Sequence, residues 1–266
     1  MGENQAKAET EAEAEAVGAV LPAGASPFAY SGNELDALAD ARNYYRWLIG
    51  RFEPHLGPRV IEVGAGIGTF AEWILGTGRV EALTLIEPAA NNYPRLARRF
   101  AADPRVRAVR GFLEEQVQEQ EGEQGQDALV AVNVLEHVED DVAFLDAAWR
   151  ALRPGGALLI FVPAGPRIFG TLDRALEHHR RYDRKTLRRR LETAGFRIET
   201  LRYANSVGVL AWFLTGRVLR RTTLDAAIVK LYDRLVVPWL LAFENRVAPP
   251  LGQSLLAVAR RGVVPI

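Results

Sequence analysis

Cysteine is absent from the 266 residues, methionine occurs once, and only three of the 33 basic residues are lysine (Lys7, Lys185 and Lys230). Without cysteine there is no disulfide framework, no thiolate metal site and no cysteine nucleophile. Net charge is missing too. The 33 acidic side chains balance the basic ones, so no overall field gathers nucleic acid or anionic membrane. Long apolar runs are also lacking: the longest, residues 207–216, has ten positions interrupted by Thr215, against the roughly 20 that a bilayer crossing takes. No basic segment followed by an apolar core appears near the start, so the expectation is a cytoplasmic chain without a secretory leader. The arginine skew, with abundant alanine and glycine, reads as bacterial genome composition and carries no chemistry. Against these absences stands a hydrophobic share of 48%, ample for one large or two small domains.

What is present concentrates at Val60-Ile61-Glu62-Val63-Gly64-Ala65-Gly66-Ile67-Gly68, a short apolar run that breaks over spaced glycines and resumes as a helical pattern. A buried strand that turns sharply over a ligand and feeds a helix has this form. A second apolar run, 82–87, ends in Glu87, nineteen residues after Gly68, where an acid can accept hydrogen bonds from ribose hydroxyls. The dinucleotide fingerprint needs a glycine at 69 to seat the helix below a pyrophosphate; Thr69 stands there instead. Glu62 is also unfavourable beside a pyrophosphate and suits a ligand carrying an ammonium group.

Glu62-x-Gly64-x-Gly66-x-Gly68 resembles the cofactor motif of the class I S-adenosylmethionine-dependent methyltransferases. The resemblance extends over about 44–203 and the last strand. It implies an α/β fold: a Rossmann-like seven-stranded sheet with helices on both faces. It also implies S-adenosyl-L-methionine as cofactor. Gly64, Ala65, Gly66 and Gly68 would wrap the methionine part and ribose, Glu87 would take the ribose hydroxyls, and Pro88 would pack near adenine. Asn133-Val134-Leu135-Glu136-His137 resembles the segment after strand four that lies beneath the sulfonium, and Leu152-Arg153-Pro154-Gly155-Gly156 the turn into strand five. One position departs from the family pattern: Phe112 stands where an adenine-reading acid is usual, so either Phe112 stacks on the ring with Leu113 beside it, or Glu114 reaches in. On the helix before strand one, Tyr44 is a candidate for the methionine carboxylate and Tyr45 for the acceptor; amphipathic-helix core is an equal reading for both.

Along the chain, 1–27 is an alanine–glutamate tail expected to be disordered, and 28–58 an N-terminal helical cap. The cofactor-binding core spans 59–203. Strands are predicted at 59–63, 82–87, 106–110, 128–133, 157–163 and 196–203, with helices at 69–75, 93–100, 140–152 and 184–194 between them. The polar stretch 114–126 reads as a surface helix fraying into a loop. Residues 204–253 form a helical insert, with apolar-rich helices at 206–221 and 225–247, broken at Pro238 and ended by Pro249-Pro250, before a final strand at 255–260 within 254–266.

Three of the four histidines fall near the C-terminal edge of this sheet, where open α/β sheets bind ligands. His178, and secondarily His137, are the candidate bases, because imidazole takes a proton near neutral pH. His179, Arg181 and Tyr182 are placed on the acceptor side with Trp212. The bland alternative is that Asp173, His178 and Arg181 merely pin a loop; a metal at His178, His179 and Asp173 is the weaker reading, and none is expected. The basic run 180–190 reads as a solvated helix face rather than an RNA contact. The insert carries more apolar surface than one helical stripe needs, with flanking arginines. It would cap a hydrophobic acceptor, form a homodimer interface or touch a membrane peripherally; the cap is preferred. The expected activity is methyl transfer to a small, apolar molecule at an O, S, N or C nucleophile, in bacterial secondary metabolism. A membrane lipid or quinone acceptor is the alternative, with RNA or protein less favoured.

Overall fold

A computed structural model describes residues 28–30, 34–119 and 125–262. The tail expected over 1–27 and the end of the polar stretch at 120–124 lie outside the described residues. Two short helices lead in, α1 (Glu34–Leu38) and α2 (Arg42–Phe52). The alternating core follows: β1 (Arg59–Val63), α3 (Thr69–Gly76), β2 (Ala82–Glu87), α4 (Tyr93–Phe100), β3 (Val106–Arg110), α5 (Leu113–Glu119), β4 (Gln126–Val132), α6 (Asp141–Ala151) and β5 (Leu152–Pro163). Beyond it run α7 (Thr171–Ala175), α8 (Arg184–Thr193), β6 (Phe196–Ala204), α9 (Ser206–Phe213) continued by a π-turn (Leu214–Val218), α10 (Ala226–Leu235), α11 (Val237–Glu244) and β7 (Ser254–Arg261).

The seven strands order as β3-β2-β1-β4-β5-β7-β6, parallel except for β7, which runs antiparallel to both β5 and β6. Because the chain winds one way from β1 to β3 and the other way from β4, the tips of β1 and β4 diverge and leave a crevice. Strand periodicity splits the interior into two layers. Ile61, Leu129, Ile160 and Ala257 face one way with Phe144 and Leu187, while Val60, Val130, Phe161 and Leu256 face the other with Leu48, Phe70 and Leu96. Burial on both faces is why the central strands read as continuous apolar runs. Asp140, Asp183, Asn205 and Asp225 accept from the first amides of α6, α8, α9 and α10, caps of about 0.5–2 kcal/mol each.

Three local expectations are corrected. The helical pattern before β1 is broken at 39–41, and the amides of Asn43 and Tyr44 at the start of α2 donate to Asp233 of α10 at 3.0 and 2.9 Å. The turn expected at 153–156 is a bulge inside β5: Leu152 already pairs with Gln126, and Gly155 takes a left-handed φ of 76°. The break expected at Pro238 within 225–247 falls two residues earlier, at Val236, which puts Pro238 in the first turn of the second helix, where its missing amide costs nothing.

Candidate functional site

The glycine turn leaves β1 at Val63 and enters α3 at Thr69. Gly64, Gly66 and Gly68 all hold positive φ (64°, 56° and 83°), which side chains rarely adopt. A Cβ on Gly64 would meet Val134 Cγ2 at 2.6 Å and one on Gly66 would meet Leu35 at 3.1 Å. Glu87, at the tip of β2, closes this turn: its Oε2 accepts from the Gly66 amide at 2.7 Å and its Oε1 from the Ala89 amide at 2.9 Å. Burial pushes the Glu87 carboxyl upward, against the lowering effect of those amides.

Glu62 precedes the turn, is 3% exposed and keeps Oε2 without a hydrogen-bond partner. Burial, with Glu87 nearby, pushes its carboxyl up to about 8. Ionising a buried carboxyl that lacks a partner is costly, so burial favours its protonated form.

Two cavities flank the turn. One, of about 260 Å³, is lined by Glu87, Pro88, Gly111, Phe112, Leu113 and Val134, and closed by Phe28 and Tyr30 from the N-terminal segment. The other, of about 310 Å³, is lined by Glu62, Tyr44, Tyr45, His178, Arg181 and Trp212, with Leu172, Ile228, Val229 and Val237 supplying apolar wall. Leu35, Gly64, Asn133 and His137 line both, so the cavities meet at the sheet edge. Asn133 sits at that junction with a left-handed φ of 54°, its amide donating to the Phe161 carbonyl at 2.8 Å.

The floor of the larger cavity is a buried polar network. Asp173 Oδ1 receives His178 Nδ1 at 3.0 Å and Arg181 at 2.8 Å, while Oδ2 accepts from Trp212 Nε1 at 3.1 Å and the Gly170 amide at 2.8 Å. Burial pushes the Asp173 carboxyl up, but His178 and Arg181 outweigh it and hold it at about 2. Arg181 also donates to the carbonyls of Ala164 and Gln253, so its guanidinium is fully engaged beneath the Trp212 ring, 5.0 Å from its centroid. The His137 and His178 rings meet edge to face at 4.8 Å. Burial and the facing His178 push His137 down to about 3, so it stays neutral at working pH.

The predicted residues fall into three groups. Tyr44, Tyr45, Glu62, Gly64, Ala65, Gly66, Glu87, Pro88, Phe112, Leu113, Asn133, Val134, His137, His178, Arg181 and Trp212 line the two cavities. Gly68 lines neither: a Cβ there would lie 2.4 Å from Phe100 Cε2, so its smallness seats α3 on α4. His179 is exposed and lines neither cavity, and its amide donates to the Glu136 carbonyl. Tyr182 is 1% exposed, with its hydroxyl 3.0 Å from Asp141 Oδ2 and 3.2 Å from the Leu135 carbonyl; it is core, not acceptor surface. Gly68, His179 and Tyr182 were expected at the ligand from their places in segments resembling the family's, and packing sets them off it. Histidine grouping also differs from expectation, since Glu136, His137 and His178 bring ligand-type atoms within 4.8 Å of one another, without His179. Not singled out from the sequence were Tyr30, Leu35, Ile228 and Tyr232: the first two reach the cavities from the N-terminal segment and the last two from the insert, and only folding brings those segments to the sheet edge.

Comparisons with known proteins agree with this fold. A family model described as a methyltransferase domain matches residues 36–201. A ubiquinone biosynthesis O-methyltransferase of Xylella fastidiosa is 30% identical over 115 residues, covering 42% of this chain and 44% of that protein, so this chain spans under half the length of that relative. Among solved structures, an S-adenosylmethionine-dependent methyltransferase from Mesorhizobium loti superposes with a TM-score of 0.52 at 17% identity, covering 80% of this chain and 95% of that one. A phosphoethanolamine N-methyltransferase from Haemonchus contortus, solved with S-adenosyl-L-methionine, gives 0.56 at 17% identity over 83% of this chain and 53% of its own.

Proposed function

Because the chain belongs to the class I S-adenosylmethionine-dependent methyltransferases, we propose that its smaller cavity takes the adenosine half of that cofactor and its larger cavity a small apolar acceptor bearing a hydroxyl. The observation carrying this is the meeting of the two cavities at Gly64, Asn133 and His137. S-adenosylmethionine supplies a methyl group already activated by its sulfonium.

This chain's residues fit that group. Glu62, buried and without a partner at Oε2, would take the ammonium; Glu87 would take the ribose hydroxyls; Phe112 and Leu113 would flank the adenine. Tyr44 hydrogen-bonds Ser254 and is held protonated by burial, which keeps it a donor for a carboxylate. Apolar walls exclude water, and fixing two reactants in line is worth about 7–11 kcal/mol without elaborate acid–base groups.

A hydroxyl must lose its proton, and His178 would take it. Ionised Asp173 accepts from Nδ1, which leaves Nε2 as the basic nitrogen, and a positioned base contributes roughly 10²–10⁴-fold. An oxygen acceptor is supported further by the name of the Xylella relative.

Titration calorimetry with S-adenosylmethionine and its demethylated product, then mass spectrometry of apolar phenols incubated with enzyme and cofactor, tests this reading. Micromolar binding and a methylated phenol are expected. No affinity for either nucleoside would overturn it.

A further inference from the structure

The helical insert between β6 and β7 presents two unlike faces. Its inward side carries Val229, Asp233, Val237, Leu241 and Glu244 against the cavity and core. Its outward side is apolar to a degree unusual for a surface: Leu210 is 61% exposed, Leu219 63%, Leu235 58%, Phe243 62% and Trp239 80%. These recur at helical spacing, Leu210/Phe213/Leu214/Val218 along α9 and its π-turn, Ile228/Leu231/Leu235 along α10, Trp239/Phe243 along α11, so each helix turns a stripe outward.

Charge on this element is sorted as sharply. Residues 206–253 hold only three acids and six basic side chains. Asp233 and Glu244 are buried, holding the amides of Asn43 and Tyr44 and of Asn205 and Ser206, and Asp225 caps α10. Arg217, Arg220, Arg221, Arg234 and Arg246 are exposed, and among the described residues none forms an ion pair with a carboxylate. An apolar stripe of Trp, Phe and Leu rimmed by unpaired arginine suits the boundary between acyl chains and anionic headgroups. None of the described helices is long and apolar enough to cross a membrane, so the fit is to a surface.

From this arrangement we infer that the insert docks on an anionic lipid bilayer, with Trp239 and Phe243 entering the headgroup boundary and the arginines meeting lipid phosphates. Ala211 and Ile228 line the larger cavity while remaining exposed on the same helices. An acceptor dissolved in the bilayer then lies beside the cavity mouth; that route rests on the acceptor reading above, whereas the docking does not.

Flotation of the full chain with vesicles of phosphatidylcholine alone, or containing phosphatidylglycerol, is the test, with cofactor binding by calorimetry as the control for folding. Binding to the anionic vesicles is expected, falling as salt rises. Trp239→Ser with Phe243→Ser should weaken it tenfold or more, and Arg217→Gln or Arg220→Gln about fivefold each, with cofactor affinity unchanged. Absence from both vesicle types overturns the docking, as does a stable dimer that the Trp239→Ser, Phe243→Ser variant dissociates. Vesicle binding without methylation of any bilayer-dissolved phenol leaves docking standing and removes the acceptor route.

Discussion

Asp173 and His178 meet at 3.0 Å between Oδ1 and Nδ1, five residues apart in the chain, with His178 lining the larger cavity and Asp173 buried behind it. The carboxylate fixes the ring and its tautomer, in the manner by which an acid orients a catalytic imidazole. His178→Ala should therefore lower turnover by roughly 10²–10⁴-fold while leaving cofactor affinity intact. Initial rates across pH are the check; an unchanged profile would make His178 a loop anchor only.

Asp173→Asn goes further than the histidine variant. It leaves the guanidinium of Arg181, whose side chain is 0% exposed, without its charge partner, and removes an acceptor from Trp212. Breaking a buried pair from one side costs about 3–5 kcal/mol. Denaturant unfolding should show a loss of that size, and a loss below about 1 kcal/mol would contradict the network described.

Glu62 carries a pH signature. Its carboxyl titrates near 8 in the folded chain against 4.5 for an unperturbed one, so the folded state holds the extra proton between those values. Stability contributed by this group is present below about 4.5 and is lost as pH rises toward 8. Glu62→Gln should remove that loss, making the variant gain on the parent as pH rises through the window. Cofactor binding to the parent should release a proton near pH 7, read as a buffer-dependent binding enthalpy, and the variant should release none.

Gly68→Ala separates packing from ligand contact. The new methyl would press on Phe100 and Leu96, and overpacking of this kind costs about 1–3 kcal/mol. Thermal melts should fall while cofactor affinity per folded molecule holds. Tyr182→Phe should behave likewise, losing about 1–3 kcal/mol with the hydrogen bond to Asp141, which keeps Arg180 and Arg190, without altering the pH profile of turnover.

Much of this architecture is legible in the linear chain because its causes are local. The runs that form β1, β2 and β3 are bounded by glycine, proline or charge, and their ends match the spacing-based expectation. Gly64 and Gly66 announce a turn that only residues lacking a Cβ can make, and Glu87 is tied to it by a fixed strand-to-strand distance. The β5 bulge was not legible, since pairing of Leu152 with Gln126 depends on a register that the Gly155-Gly156 pair conceals.

The sequence alone determined the alternating α/β core, the glycine bend and the two acids beside it, because strand periodicity, turn chemistry and element length act over a few residues. Tertiary structure alone decided that His179 lies outside the cavity, that Gly68 and Tyr182 serve packing, and that Asp233 of α10 caps α2 across 190 positions. Those outcomes depend on which side chains meet when distant segments close on one another, and their energies exist only once the solvent between them has been expelled.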